Sequence, residues 1–105
     1  MSAVLILSTA PTRDEAAKIA ETLVTEGLAA CVQLSPIESW YRWEGKVEHA
    51  AEIRLHIKTR ESLAERVEQR INALHSYALP ELIRVPIDGG SPAYLDWIET
   101  STASA

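Results

Sequence analysis

The stretch Leu28–Thr59, LAACVQLSPIESWYRWEGKVEHAAEIRLHIKT, decides the fold. Its second half alternates, with Ile53, Leu55 and Ile57 on one side of an extended chain and Arg54, His56 and Lys58 on the other. That period of two marks a strand with one apolar face. The first half is apolar on both faces at its start, Ala29 to Val32, and aromatic at its end, Trp40, Tyr41 and Trp43. Between the halves, Glu44-Gly45-Lys46 reads as a tight turn, with Gly45 where a positive φ is needed. The prediction is a long antiparallel hairpin. Arms of roughly a dozen residues reach about 40 Å, against a radius of gyration of about 13 Å for a compact chain of this size. Unless it bends sharply, such a hairpin extends past its own domain. Aromatic strand ends in water are an adhesive edge that a partner covers, so the hairpin points to an oligomer.

The flanks supply the rest of the domain. Ala3 to Leu7 is a short continuous apolar run, the pattern of a central strand buried on both faces. Thr12 and Glu15 have capping-box spacing, in which hydroxyl and carboxylate each satisfy a free N–H. Ala16, Ile19, Ala20, Leu23 and Val24 follow as an apolar helical stripe, and Gly27 ends that helix in the left-handed region. Pro36 lacks an amide donor and marks an edge, bulge or kink. Thr59 is read as the cap of a second helix carrying Leu63, Val67, Ile71 and Leu74 on one face, with Arg60 among its solvated residues. A last strand is expected over Glu81–Ile87, then a short helix capped by Ser91 with Pro92 at its first position, and a frayed tail over Thr100–Ala105. The order β-α-β-β-α-β plus a terminal helix is the α+β, ferredoxin-like split βαβ arrangement, with helices on one face of an antiparallel sheet. The open face is the expected oligomer surface. Residues 1–105 are read as one domain.

A formal charge of −5 argues against a nucleic-acid partner, which calls for a basic face. One cysteine excludes an internal disulfide and a CxxC pair. Only Val4–Leu7 is apolar near the start, so no signal peptide or membrane span is expected, and the compartment read from this is the cytoplasm.

Cys31 in its apolar strand reads as a small hydrophobe facing the oligomer interface. None of His49, His56 and His75 has the spacing of a local metal site. His75 draws notice because it follows a helix C-terminus, near Tyr77 and Glu81, where the dipole favours a cation. Glu52, Arg54 and Lys58 share one strand face, a cost unless they are solvated, paired or lining a cleft. Two readings stand: an exposed face with cross-strand ion pairs, or a polar pocket between subunits. In such a pocket Lys58 and Arg54 hold an anion, and Glu52 or Glu81 a cation. Trp43, Lys46 and Tyr77 complete it. No nucleophile–base pair or phosphate-binding loop appears, so no enzymatic activity is expected.

The blocks Ser-Thr-Ala-Pro at 8–11, Leu-Ala-Ala-Cys-Val at 28–32, Tyr-Arg-Trp-Glu-Gly-Lys at 41–46, Pro-Glu at 80–81 and Tyr-Leu-Asp-Trp-Ile at 94–98 resemble the CutA divalent-cation tolerance family in order and spacing. The resemblance implies a cytoplasmic homotrimer with hairpins packed on neighbouring sheets, through Trp40, Tyr41, Trp43 and Cys31. It also implies a link to copper and other divalent cations, and an architecture similar to PII-type trimers. The latter suggests an alternative role as sensor or adaptor for a small anionic ligand. Where some bacterial relatives carry a cysteine before Thr-Ala-Pro, this chain has Ser8, and their His-His-Pro-Tyr reads Leu74-His75-Ser76-Tyr77. His75 is left as the candidate ligand for Cu(II) or another divalent cation, with carboxylate or water completing the shell.

Overall fold

A computed structural model describes residues 2–103. The chain runs β1 (Ala3–Ala10), α1 (Arg13–Thr25), β2 (Cys31–Trp43), β3 (Lys46–Arg60), a 3₁₀ turn (Glu61–Leu63), α2 (Ala64–Leu74), β4 (Ile83–Ile87) and α3 (Pro92–Thr100). All neighbouring strands are antiparallel, in the order β2-β3-β1-β4. The expected α+β split βαβ fold is therefore present.

Register sorts the two faces. Val4, Ile6, Ser8 and Ala10 of β1 lie beside Thr59, Ile57, Leu55 and Ile53 of β3. This side packs on α1 and α2 through Ile19, Leu23, Val67 and Ile71, all buried. Val24 leaves the predicted stripe and is exposed, because it sits about 100° past Leu23 around a helix of 3.6 residues per turn. On the opposite face Ile98 of α3 is buried against Ala3 and Ala30, with Ile87 and Leu95 beside them. The expected open face is thus half covered by the chain's own third helix. What stays open is β4, where Ile83 and Val85 are 49% and 39% exposed, and the far end of the hairpin.

The hairpin is as long as predicted: Cys31 pairs with Lys58 at one end and Trp43 with Lys46 at the other. It stretches the molecule to 44 Å along its longest axis, against 25 Å and 20 Å across. Its turn is two residues, shorter than expected. Glu44 (φ 50°) and Gly45 (φ 77°) both lie in the left-handed region, as the twist of the flanking strands demands. Lys46 already belongs to β3. Pro36 sits on an outer strand, where a missing donor is tolerated.

Four other expectations are corrected. The last strand begins at Ile83 and not at Glu81. Arg60 is no helix-surface residue: its guanidinium donates to the Glu99 carbonyl (2.6 Å) and to Thr102 Oγ1 (2.9 Å). With Ala103 N–H donating to the Gly27 carbonyl (2.7 Å), this pins the tail expected to fray; Ser104 and Ala105 lie outside the described residues. Thr59, finally, does not cap α2. It is fully buried in β3, and its hydroxyl donates to the Leu28 carbonyl at 2.7 Å, tying the strand to the loop after α1. Thr59→Val keeps the shape and leaves that carbonyl unsatisfied. We expect about 1–3 kcal/mol of destabilisation in chemical denaturation; no loss would show that the bond contributes nothing.

Candidate functional site

β1 stops at Ala10, opposite Ile53. Beyond that point the hairpin has no neighbour on that side, and the segment 75–82 runs alongside it. The result is a cleft of about 930 Å³. Trp40, Tyr41, Trp43 and Glu52 come to it from the hairpin, and Tyr77, Leu79 and Glu81 from the segment between α2 and β4.

His75 anchors that segment. Nε2 lies 2.6 Å from the Thr9 carbonyl, and the Tyr77 N–H points at Nδ1 at 3.0 Å. A carbonyl only accepts and an N–H only donates, so Nε2 carries the proton and Nδ1 offers its lone pair to the backbone. The ring is fully buried. Both nitrogens are engaged in these hydrogen bonds, which tie β1 to the cleft wall.

Glu15 braces the same segment. Its N–H donates to Thr12 Oγ1 at 3.2 Å, the expected cap. Its carboxylate does not turn back to complete a capping box; Oε2 accepts from Ser76 N–H and Ser76 Oγ, each at 3.0 Å. Partial burial opposes ionisation of Glu15, but the two Ser76 bonds outweigh it and hold the carboxyl below its ordinary value, with His75 adding attraction only when protonated. A depressed folded-state pKa gives stability that is present above the unfolded value and lost as pH falls through the folded one. Glu15→Gln should therefore flatten the acid limb of the stability curve below the ordinary carboxyl value of 4.5 and leave its slope near pH 7 alone. An unchanged acid limb in urea titrations would refute this.

Inside the cleft, Tyr77 OH donates to Glu52 Oε2 at 3.0 Å. Burial, that bond and the Glu52 charge push the phenol up to about 12, with smaller contributions from Tyr41 and Glu15. Glu52 is only 7% exposed. Arg54 pairs with Glu81. Trp40 stacks on His49 at 4.1 Å, 4° from parallel, and His49 Nε2 meets Glu38 at 3.0 Å, so this histidine is not merely solvated.

The residues named for a pocket between subunits fall in different places within this chain. Trp43, Glu52, Tyr77 and Glu81 line the cleft. Arg54 reaches it only through Glu81. Lys58 lies at the other end of β3, where Nζ donates to Tyr94 OH at 3.2 Å, and Lys46 is at the hairpin tip opposite Trp43. Arg54 and Lys58, the two cations expected to hold an anion, are each engaged and stand apart. Cys31 is nine positions from Trp40 along β2, roughly 30 Å at strand rise, so the predicted interface residues span the hairpin's whole length. Glu15 and Leu79 were missed. Glu15 was hidden by its capping position, and nothing in the sequence marks Leu79. Among the described residues no three of His, Cys, Asp and Glu converge as a metal centre requires. The site residues do not fit a closed metal centre.

Residues 4–101 match the family described as CutA1 divalent ion tolerance protein. A curated relative, "Protein CutA, chloroplastic" of Arabidopsis thaliana, is 48% identical over 94% of this chain, which spans 55% of that relative's length. The crystal structure of CutA1 from Oryza sativa superposes with a TM-score of 0.97 at 42% identity, covering 100% of this chain and 97% of that one. A structure titled periplasmic divalent cation tolerance protein CutA from Archaeoglobus fulgidus gives 0.93 at 40% identity, covering 94% and 97%.

Proposed function

Since this chain belongs to the CutA1 divalent ion tolerance family, we propose that it serves divalent-cation tolerance as a homotrimer that meets copper or a similar ion weakly and without a preformed cage. One observation carries the oligomer: an aromatic hairpin projects along the 44 Å axis, while Ile83 and Val85 stand exposed on the sheet face that α1 and α2 leave open. A long apolar-tipped hairpin and an uncovered apolar strand in one chain are complementary surfaces. Weak cation contact is supported by the commitment of both His75 nitrogens; a ligand whose lone pair is already used binds only after a local bond is given up. No catalytic step is proposed. The compartment proposed is the cytoplasm, on the single free Cys31; no helix of the described residues is long and apolar enough to cross a membrane. Relatives named chloroplastic and periplasmic set the alternatives that fractionation of the expressed protein decides.

Native mass spectrometry of the metal-stripped protein, with and without added Cu(II), tests both parts. The expected spectrum has a three-subunit mass and shows ions that a chelator removes at once. A monomer overturns the trimer. Copper retained through chelation in fixed stoichiometry overturns the weak contact.

A further inference from the structure

We propose that His56 makes the contact between copies of this chain pH-sensitive: subunits hold together while its ring is neutral and separate as the ring takes up a proton. The inference rests on the homotrimer proposed above and names a switch within that contact.

Register places the ring. His56 stands opposite Gln33 of β2 and Leu7 of β1, and Leu7 in turn stands opposite Ile83 of β4. Residues paired across a ladder share a face, so these four form one row on the side away from α1 and α2. The neighbouring row runs Cys31, Lys58, Leu5 and Val85. His56 is two strands from Ile83, about 10 Å at the spacing of a sheet. A stable contact covers about 800 Å² on each partner, a patch far wider than that spacing. A copy seated on Ile83 and Val85 therefore also covers His56, which is half-buried in the single chain.

The charges around the ring give the sign. On β3 itself Arg54 and Lys58 flank His56 on the same face. From β2 come Gln33 with Cys31 and Ser35 on either side, and from β1 Leu7 with Leu5 and Thr9; none of these is an acid. β4 brings Ile83 and Val85, both apolar. α3 brings Tyr94, whose hydroxyl accepts from Lys58 Nζ. The segment before β4 brings Glu81, and Arg54 already takes its carboxylate. Glu52, four residues along the strand and so about 13 Å away at strand rise, accepts from Tyr77 OH. Protonated His56 is thus a third cation in a row. Covering a neutral imidazole there costs little, whereas covering a charged one between two cations adds desolvation and repulsion. Separated subunits leave that ring to water. They bind the proton more readily than the assembly does, and by linkage acidification drives the copies apart. Histidine is the side chain that ordinarily makes this charge change between about pH 8 and pH 5.

The test is subunit exchange of the full chain. Light and isotopically heavy protein are mixed, and native mass spectrometry follows the mixed trimers at about pH 8 and about pH 5.5. Circular dichroism at both checks that the subunit stays folded. Exchange about tenfold or more faster at the lower pH is expected, the scale of a like-charge juxtaposition in a contact. His56→Leu, which fills the same place without a charge, should exchange at one rate at both. His56→Gln, neutral and polar, should do the same and keeps the test open where leucine disturbs the packing. His49→Gln, beside Glu38 and Trp40 on the hairpin, should retain the acceleration. A monomer at the higher pH would overturn the homotrimer and this inference together. A trimer whose exchange is unchanged or slower on acidification, or an acceleration that persists in either His56 variant, would overturn the inference and leave the trimer standing.

Discussion

Replacing Ile83 and Val85 together with lysine should turn the proposed homotrimer into monomers that keep their secondary structure. Both residues sit on β4, opposite Leu7 and Leu5 of β1, on the face away from α1 and α2. Neither is part of the chain's own buried core. Their neighbour Arg84 points to the helix side, where it pairs with Glu68. The substitution therefore costs the subunit little. In an interface the same change removes two apolar anchors and leaves two uncompensated charges, a cost of about 3–5 kcal/mol for a buried unpaired charge. Light scattering after size exclusion reads the mass, and circular dichroism reads the fold. A variant that remains trimeric would refute the open-face assignment. Deleting Trp43–Lys46 tests the other half of the contact and should also yield monomers or aggregate, because it removes the aromatic tip and the turn that sets the register of both arms.

Ile57→Ala is the second large effect expected. Ile57 is fully buried in β3, which has β2 on one side and β1 on the other. It stands between Val32 and Ile6 in register, in the cluster that also holds Leu23 and Ile71. Truncation there opens a space that rigid neighbours on two strands and two helices cannot close, and large-to-small changes of this kind cost about 2–5 kcal/mol. Denaturant unfolding at fixed protein concentration measures it, since assembly couples to stability. Ile53→Ala, four residues nearer the hairpin's free end and only partly buried, should cost clearly less. Equal losses at the two positions would show that the core does not centre on Ile57.

The two arms, the apolar side of the second and the strand–helix order were readable from local pattern. Alternation through Ile53, Leu55 and Ile57 sets which side of β3 faces helices, and that signal needs no knowledge of the partner strand. The failures share a different origin. Thr59 looks like a cap because Ser and Thr before an apolar helix usually cap it, yet the hydroxyl serves a carbonyl 31 positions away. Glu15 has capping-box spacing, yet its carboxylate is taken by Ser76. In each case a short-range rule lost to a partner from a distant element.

Sequence alone determined the antiparallel hairpin, its length beyond the body of the domain, the amphipathic helices and the family resemblance. The first three follow from periodicity and steric preference within a few residues of each position; the resemblance rests on the order and spacing of sequence blocks along the chain. Only the tertiary structure decided that α3 packs on the open face through Ile98, that the His75 ring bonds to the Thr9 carbonyl, and that Ser76 takes the Glu15 carboxylate. Those outcomes depend on which side chains meet across long loops, and the hydrogen-bonding capacity of a histidine or a carboxylate is indifferent to sequence distance until the fold brings one partner within 3 Å.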